Sequence, residues 1–253
     1  MKINFLGTGT SQGVPVIACE CETCRSDDPR DKRLRTSVLI ETSSANIVID
    51  TGPDFRQQML NLHVKKLDAV LFTHEHRDHI AGLDDIRAYN FRQKKAMEIY
   101  TEDRVLNALK YQYPYIFAEK KYPGAPQVNI HIIDNQEFHI GELKILPIRV
   151  MHYRLPVLGF RIGELAYITD ANFISEEEKE KLYGVKYFIV NSLRREKHMS
   201  HFTLSEALDL IREISPKRAY LTHISHLMGP HKQLESELPD HVQPAYDGLS
   251  FTF

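Results

Sequence analysis

The stretch Thr73-His74-Glu75-His76-Arg77-Asp78-His79 constrains this chain more than any other. It follows the apolar run Asp68-Ala69-Val70-Leu71-Phe72, which is short and rich in branched and aromatic residues and so reads as a buried strand. Three imidazoles and two carboxylates, Glu75 and Asp78, therefore fall where a strand ends and a loop begins. Imidazole and carboxylate suit Zn²⁺, Mn²⁺ or Fe²⁺. His74 and His76, two apart in an extended segment, can face the same side and grip one ion. Asp78 and His79, past the bend, can grip a second ion nearby.

More polar residues stand at later strand ends. His152 follows the apolar-rich run 143–151, Asp170 ends Leu165-Ala166-Tyr167-Ile168-Thr169, and His223 ends Ala219-Tyr220-Leu221-Thr222. The ordered set resembles the signature of the metallo-β-lactamase superfamily. The resemblance implies that His74, His76 and His152 hold one metal, that Asp78, His79 and His223 hold the other, and that Asp170 bridges them. Asp50, in Ile47-Val48-Ile49-Asp50-Thr51-Gly52, also matches a family position, where its role would be to orient the ligand loop.

Cysteine placement is the second informative feature. The three cysteines are Cys19, Cys21 and Cys24, with none left for a long-range disulfide, so a reducing cytoplasm is expected. Cys-x-Cys-x-x-Cys lacks one ligand of a tetrahedral structural zinc site. His226, three residues past His223, is the best candidate for the fourth, which would make about 15–30 a zinc-binding loop tied to the pocket edge. This loop, the preceding Gly7-Thr8-Gly9-Thr10-Ser11-Gln12-Gly13-Val14-Pro15 and the ending Leu221-Thr222-His223-Ile224-Ser225-His226 resemble the phosphoribosyl cyclic phosphate phosphodiesterase branch. A similar structural zinc occurs in a pyrroloquinoline quinone biosynthesis protein of the same superfamily, so the loop alone does not fix the substrate.

Strands are expected near 2–7, 36–42, 46–50, 68–72, 96–100, 128–133, 143–150, 157–162, 165–169, 186–190, 218–222 and 248–252. Helices are expected near 53–62, 85–93, 102–112, 175–182, 203–214 and 230–237. The helix at 203–214 has the clearest signal: Thr203 and Glu206 form a capping box before Leu208, Leu210, Ile211 and Ile214. The pattern suits one α/β domain over 1–253, an αββα sandwich of two packed mixed sheets flanked by helices. The aromatic, proline-broken stretch 111–123 has three readings open to it: a lid, an insertion packed on its own domain, or a contact in a homodimer. The start runs straight from Met1-Lys2-Ile3-Asn4-Phe5-Leu6 into Gly7 and reads as a first strand, not a signal peptide. No apolar stretch approaches a membrane span. A formal net charge of −2 speaks against a nucleic-acid partner.

Two bridged divalent ions, Zn²⁺ or Mn²⁺, beside a structural Zn²⁺ would lower the pKa of bound water toward ~7 and stabilise charge on phosphorus. The implied activity is hydrolysis of a small cyclic or phosphoribosyl phosphodiester by a hydroxide held between the two ions, Asp78 being among the groups that hold it. A departing alkoxide needs a proton, and His201, on the loop before the capped helix, is the candidate general acid; the resembled branch has a His acting there. Arg194, Arg195 and Lys197, just upstream, can bind a terminal phosphate. Two other readings stay open. One is a superfamily hydrolase acting on a nucleic-acid 3′-end, a lactam or a thioester. The other is a non-hydrolytic biosynthetic protein.

Overall fold

In the computed structural model, which describes residues 1–253, fifteen strands form two mixed sheets. The first is built from β1 (Lys2–Gly7), β2 (Ser37–Glu41), β3 (Asn46–Ile49), β4 (Ala69–Leu71), β5 (Met97–Thr101) and β6 (Val128–Ile132). The second takes β7 (Phe138–Ile140), β8 (Leu143–His152), β9 (Leu155–Ile162), β10 (Leu165–Ile168), β11 (Phe173–Ile174), β12 (Tyr187–Asn191), β13 (Arg218–Thr222) and β14 (Val242–Pro244). The last strand, β15 (Ser250–Thr252), returns to the edge of the first sheet.

Each sheet has an antiparallel half and a parallel half. The first runs β15-β1-β2-β3-β4-β5-β6, parallel from β3 onward. The second runs β11-β8-β9-β10-β12-β13-β14, parallel from β10 onward, with β7 beside β8. Strands buried on both faces read as continuous apolar runs, which is why Ile47-Val48-Ile49 shows no alternation in sequence. Space sorts them by the two-residue period of a strand. Ile47 and Ile49 face the layer between the sheets with Phe160, Tyr167 and Ile189. Val48 faces outward with Phe55, Met59 and Ile86. On the far side, Ile168, Phe188 and Val190 pack against Leu204, Leu210 and Ile211 of the helix Leu204–Ile214. The result is helix, sheet, sheet, helix, as expected. Emptying a site such as Phe160, which is fully buried, would cost about 3–5 kcal/mol.

Boundaries moved by one or two residues, and three short strands were not expected: β7, β11 and β14. His152 is the last residue of β8, not the residue after it. The stretch after Phe72 holds a one-turn helix, Arg77–Ile80, where a loop was expected. The aromatic stretch packs on its own chain: Tyr113 is buried and its hydroxyl donates to the Ile80 carbonyl at 3.1 Å, while Ile116 joins the outer core. No helix is long and apolar enough to cross a membrane.

The sheets meet at Thr8–Thr10. Gly9 bridges to Arg35 on one side and to Ile224 on the other, and the Thr36 and Thr222 hydroxyls touch at 2.8 Å. At this seam the carboxyl ends of β3, β4, β10 and β13 converge, the usual place for a site in a parallel sheet.

Candidate metal centre

Three residues at these strand ends leave their strands with left-handed backbones: Asp50 (φ +65°), Asp170 (φ +53°) and His223 (φ +55°). Such angles are uncommon for residues other than glycine and collect at functional sites. Each turn swings a side chain off its strand axis and into the seam.

Asp50 is fully buried and spends both carboxylate oxygens on fixing the ligand loop. It accepts from the Thr73 amide at 2.9 Å and the Thr73 hydroxyl at 2.8 Å, and faces His79 Nδ1 at 2.7 Å. Burial raises its pKa, with His79 opposing. The one-turn helix carrying Asp78 and His79 is clamped by the neighbouring loop. The Thr51 amide donates to the His79 carbonyl, and the Gly82 amide to the Thr51 carbonyl, both at 2.8 Å. Gly52 lies so close that a Cβ there would sit 2.1 Å from the Asp78 carbonyl oxygen.

With its Nδ1 committed to Asp50, His79 turns Nε2 toward Asp78 and Asp170, each 3.2 Å away. His223 Nε2 lies 3.2 Å from the other Asp170 oxygen and 3.9 Å from Asp78. These nitrogens are buried, and neither has a hydrogen-bond partner. Imidazole nitrogens left without hydrogen bonds and aimed with carboxylate oxygens at one point are what a cation site looks like. The electrostatics agree. Burial opposes charge on His79, but Asp78, Asp170 and Asp50 pull its pKa well above the imidazole range. Burial likewise works against Asp170, but His223 and His79 hold it well below the carboxylate range.

His74, His76 and His152 form the neighbouring half. His74 Nε2 and His76 Nδ1 are 3.1 Å apart, and the His152 ring is centred 5.1 Å from that of His76. His152 Nδ1 is oriented by the Ser200 carbonyl at 2.8 Å, and His74 Nδ1 by the Thr73 hydroxyl at 3.0 Å. Burial keeps His74 and His152 below the ordinary imidazole value. His201 lies alongside, its Nδ1 buried, unpartnered and 3.8 Å from Asp170. Burial, helped by His223, drives its pKa down to about 2. Its donor atom is also close enough to those of His152 and Asp170 to serve as a ligand.

Cys19, Cys21, Cys24 and His226 come together as a second cluster, the sulfurs of Cys19 and Cys21 lying 3.2 and 3.3 Å from His226 Nδ1. Burial works against the Cys21 thiolate, but the Cys24 backbone and His226 bring its pKa down to about 6; burial lifts Cys24 to about 11. A cation would let three sulfurs packed this closely all bind as thiolates, and zinc is suited to this donor set.

The expected phosphate-binding cations are engaged elsewhere. Arg195 pairs with Glu237 at 2.7 Å, Lys197 pairs with Glu206, and Arg194 caps the carbonyls of Glu196 and Lys197. The cleft beside the cluster, about 450 Å³, is lined by His76, His152, Tyr153, Arg154, Leu155, Met199 and Ser200. Sequence reasoning passed over Tyr153 and Arg154, whose one signal was adjacency to His152. A larger apolar hollow of about 520 Å³, between the helices Phe55–Asn61 and Arg87–Gln93, holds none of the ligand residues.

Comparison with known proteins agrees with this geometry. The beta-lactamase superfamily domain model matches residues 45–224. The crystal structure of a diphosphatase from the PhnP family superposes with a TM-score of 0.93 at 36% identity, covering 100% of this chain and 97% of that one. Zn²⁺-bound PqqB from Methylobacterium extorquens shares the fold, with a TM-score of 0.81 at 17% identity over 100% of both chains. A protein named octanoyltransferase from Porphyromonas gingivalis is 42% identical over 252 residues, 98% of this chain and 51% of its own length. This chain thus spans about half of that relative. An αββα sandwich with imidazoles and carboxylates converging at its seam is the framework of a metal-dependent hydrolase. The chain belongs to the metallo-β-lactamase superfamily, in its PhnP-like branch.

Proposed function

We propose that this chain is a metal-dependent phosphodiesterase acting on a small cyclic or phosphoribosyl diester. His74, His76 and His152 would hold one divalent ion, Asp78, His79 and His223 a second, with Asp170 between them, and the Cys19, Cys21, Cys24 and His226 loop a structural zinc. Bound there, the ions supply Lewis-acid activation of water and of a phosphoryl oxygen.

The protein's own groups do the rest. Asp50 and the Ser200 carbonyl hold His79 and His152 in orientation. Hydrolysis forms a P–O bond to water, breaks the ester P–O bond, and leaves one proton on the departing oxygen. His201 is placed to carry that proton.

His201 is the observation that carries the reading, because its buried, unpartnered nitrogen lies beside Asp170 and the proposed ligand set does not call on it. An alkoxide leaving group needs such a proton. The thiolate released from a thioester, with a pKa of about 8.5, hardly does. The PhnP-family neighbour's description as a diphosphatase favours a diphosphate linkage as the second reading, one that needs the same chemistry. The octanoyltransferase name is not carried over: this chain covers about half of that protein, and the groups converging here are imidazoles and carboxylates.

The test is a substrate panel. Loaded protein should cleave bis(p-nitrophenyl) phosphate and leave thioesters intact. His201→Ala should keep its metals and lose roughly 10²–10⁴-fold in kcat on alkyl diesters, with a smaller loss when p-nitrophenolate departs. Thioester turnover without diester turnover would overturn the reading.

A further inference from the structure

The hairpin between β8 and β9 carries a feature that metal binding does not use. His152 pairs with Leu155, so the turn consists of Tyr153 and Arg154 alone. Two-residue hairpin turns with positive φ at the first position take Gly, Asn or Asp. Here the position is Tyr153, at φ +58°. For a bulky residue this is an outlier.

The other non-glycine residues with positive φ have local reasons. Lys94 and Ser215 close helices, and His63 lies just past the end of one. Asp50, Asp170 and His223 shape the metal centre, and Ala18 stands beside the thiol loop. Tyr153 is at no helix end, and it follows His152 directly. Its backbone is pinned in place: the Tyr153 amide donates to Asn172 Oδ1 at 2.6 Å, and the Asn172 amide donates to the Met151 carbonyl at 2.9 Å. The strain is therefore held, in a residue that is 51% exposed.

The surroundings define what such a ring can meet. The Arg154 guanidinium lies over it, 5.2 Å from its centroid, and makes no ion pair or hydrogen bond with the protein. Met199, 66% exposed, and Leu155 complete an apolar wall in the cleft that His76 and His152 also line. A planar π-face, a free fork-shaped cation and an apolar wall suit a flat aromatic group attached to a phosphate. A purely alkyl or ribosyl arm would leave the ring face unused.

We propose that the Tyr153–Arg154 turn is a nucleotide-recognition element, stacking a nucleobase of the substrate against the Tyr153 ring and pairing Arg154 with a phosphate oxygen. The inference rests on the phosphodiesterase reading of the same cleft and narrows its substrate class to nucleoside phosphate esters.

Two esters with one leaving group test it: thymidine 5′-(p-nitrophenyl phosphate) and methyl p-nitrophenyl phosphate. The wild-type protein should prefer the thymidine ester in kcat/KM by roughly tenfold or more. Tyr153→Ala should bring that ratio close to one, and Tyr153→Phe should keep it. Tyr153→Gly should lose the preference while raising Tm by about 2–4 °C, because the turn is relieved. Titration calorimetry of metal-loaded protein with adenosine 5′-monophosphate should show roughly tenfold weaker binding for Tyr153→Ala. Equal cleavage of both esters by the wild-type protein, or unaltered affinity for the nucleotide in Tyr153→Ala, overturns the proposal. If neither ester is cleaved, the phosphodiesterase reading fails, and the calorimetry still decides whether Tyr153 stacks a base.

Discussion

The two metal-type clusters in this chain are built on opposite plans. In the His/Asp centre, side chains issue from the ends of core strands, and the ligand groups have partners of their own: Asp50 for His79, Thr73 for His74, Ser200 for His152, and the Thr169 hydroxyl for Asp170 at 2.6 Å. His74, His79 and His223 are buried almost completely. In the thiol cluster, Cys19, Cys21 and His226 are only half-buried, and their contacts are chiefly with one another. The first site is shaped by the fold before any ion arrives. The second takes three of its four donor groups from one loop, and among those groups only the Cys24 sulfur has a partner outside the cluster, the Val16 amide. A catalytic centre gains from preorganisation. A structural zinc instead contributes its binding energy directly to folding.

Three substitutions should break or sharpen this contrast. The largest effect is expected for Asp170→Ala, which removes the carboxylate shared by both halves of the His/Asp centre. Activity should fall by at least about 10³-fold, with loss of metal from that centre while the thiol site keeps its zinc; retained activity would mean that Asp170 is not the shared ligand. A smaller but broad effect is expected for Gly52→Ala, where the new Cβ meets the Asp78 carbonyl. Overpacking should cost about 1–3 kcal/mol, read as a lower Tm together with weaker metal affinity at the His/Asp centre. Normal affinity would show that the clamp on the short helix is dispensable. The smallest effect on turnover is expected for Cys21→Ser. It should lower Tm by roughly 6–16 °C, the loss of about 3–4 kcal/mol of metal linkage at ~2–4 °C per kcal/mol. Activity at 25 °C should stay within a few-fold of the parent. An activity loss as large as that of Asp170→Ala would erase the distinction between the two sites.

The layered architecture could be read from the sequence because central strands here are buried on both faces, so runs such as Ile47-Val48-Ile49 stand out against polar turns. The gathering of the ligands was readable for the same reason: His152 ends an apolar-rich run, Asp170 and His223 directly follow two others, and the His74–His79 cluster begins just past Phe72. Other features had no such signal. Strands β7, β11 and β14 have two or three residues, too few to show a period. The helix Arg77–Ile80 is one turn long and hides inside the ligand motif, with Asp78 and His79 in its middle. Arg195 and Lys197 look available in a charge run, and only the fold shows that Glu237 and Glu206 take them. Tyr153 drew no notice because backbone angle is invisible in a one-letter code, and tyrosine gives no warning of a positive φ.

Elemental analysis of carefully loaded protein tests the account most directly. On the proposed ligand sets, with two ions in the His/Asp centre and one in the thiol loop, the wild-type chain should carry close to three divalent ions and the Cys21→Ser chain close to two, with the same occupancy at the His/Asp centre in both. A wild-type chain that saturates at a single ion, or a Cys21→Ser chain that empties both sites together, would contradict it.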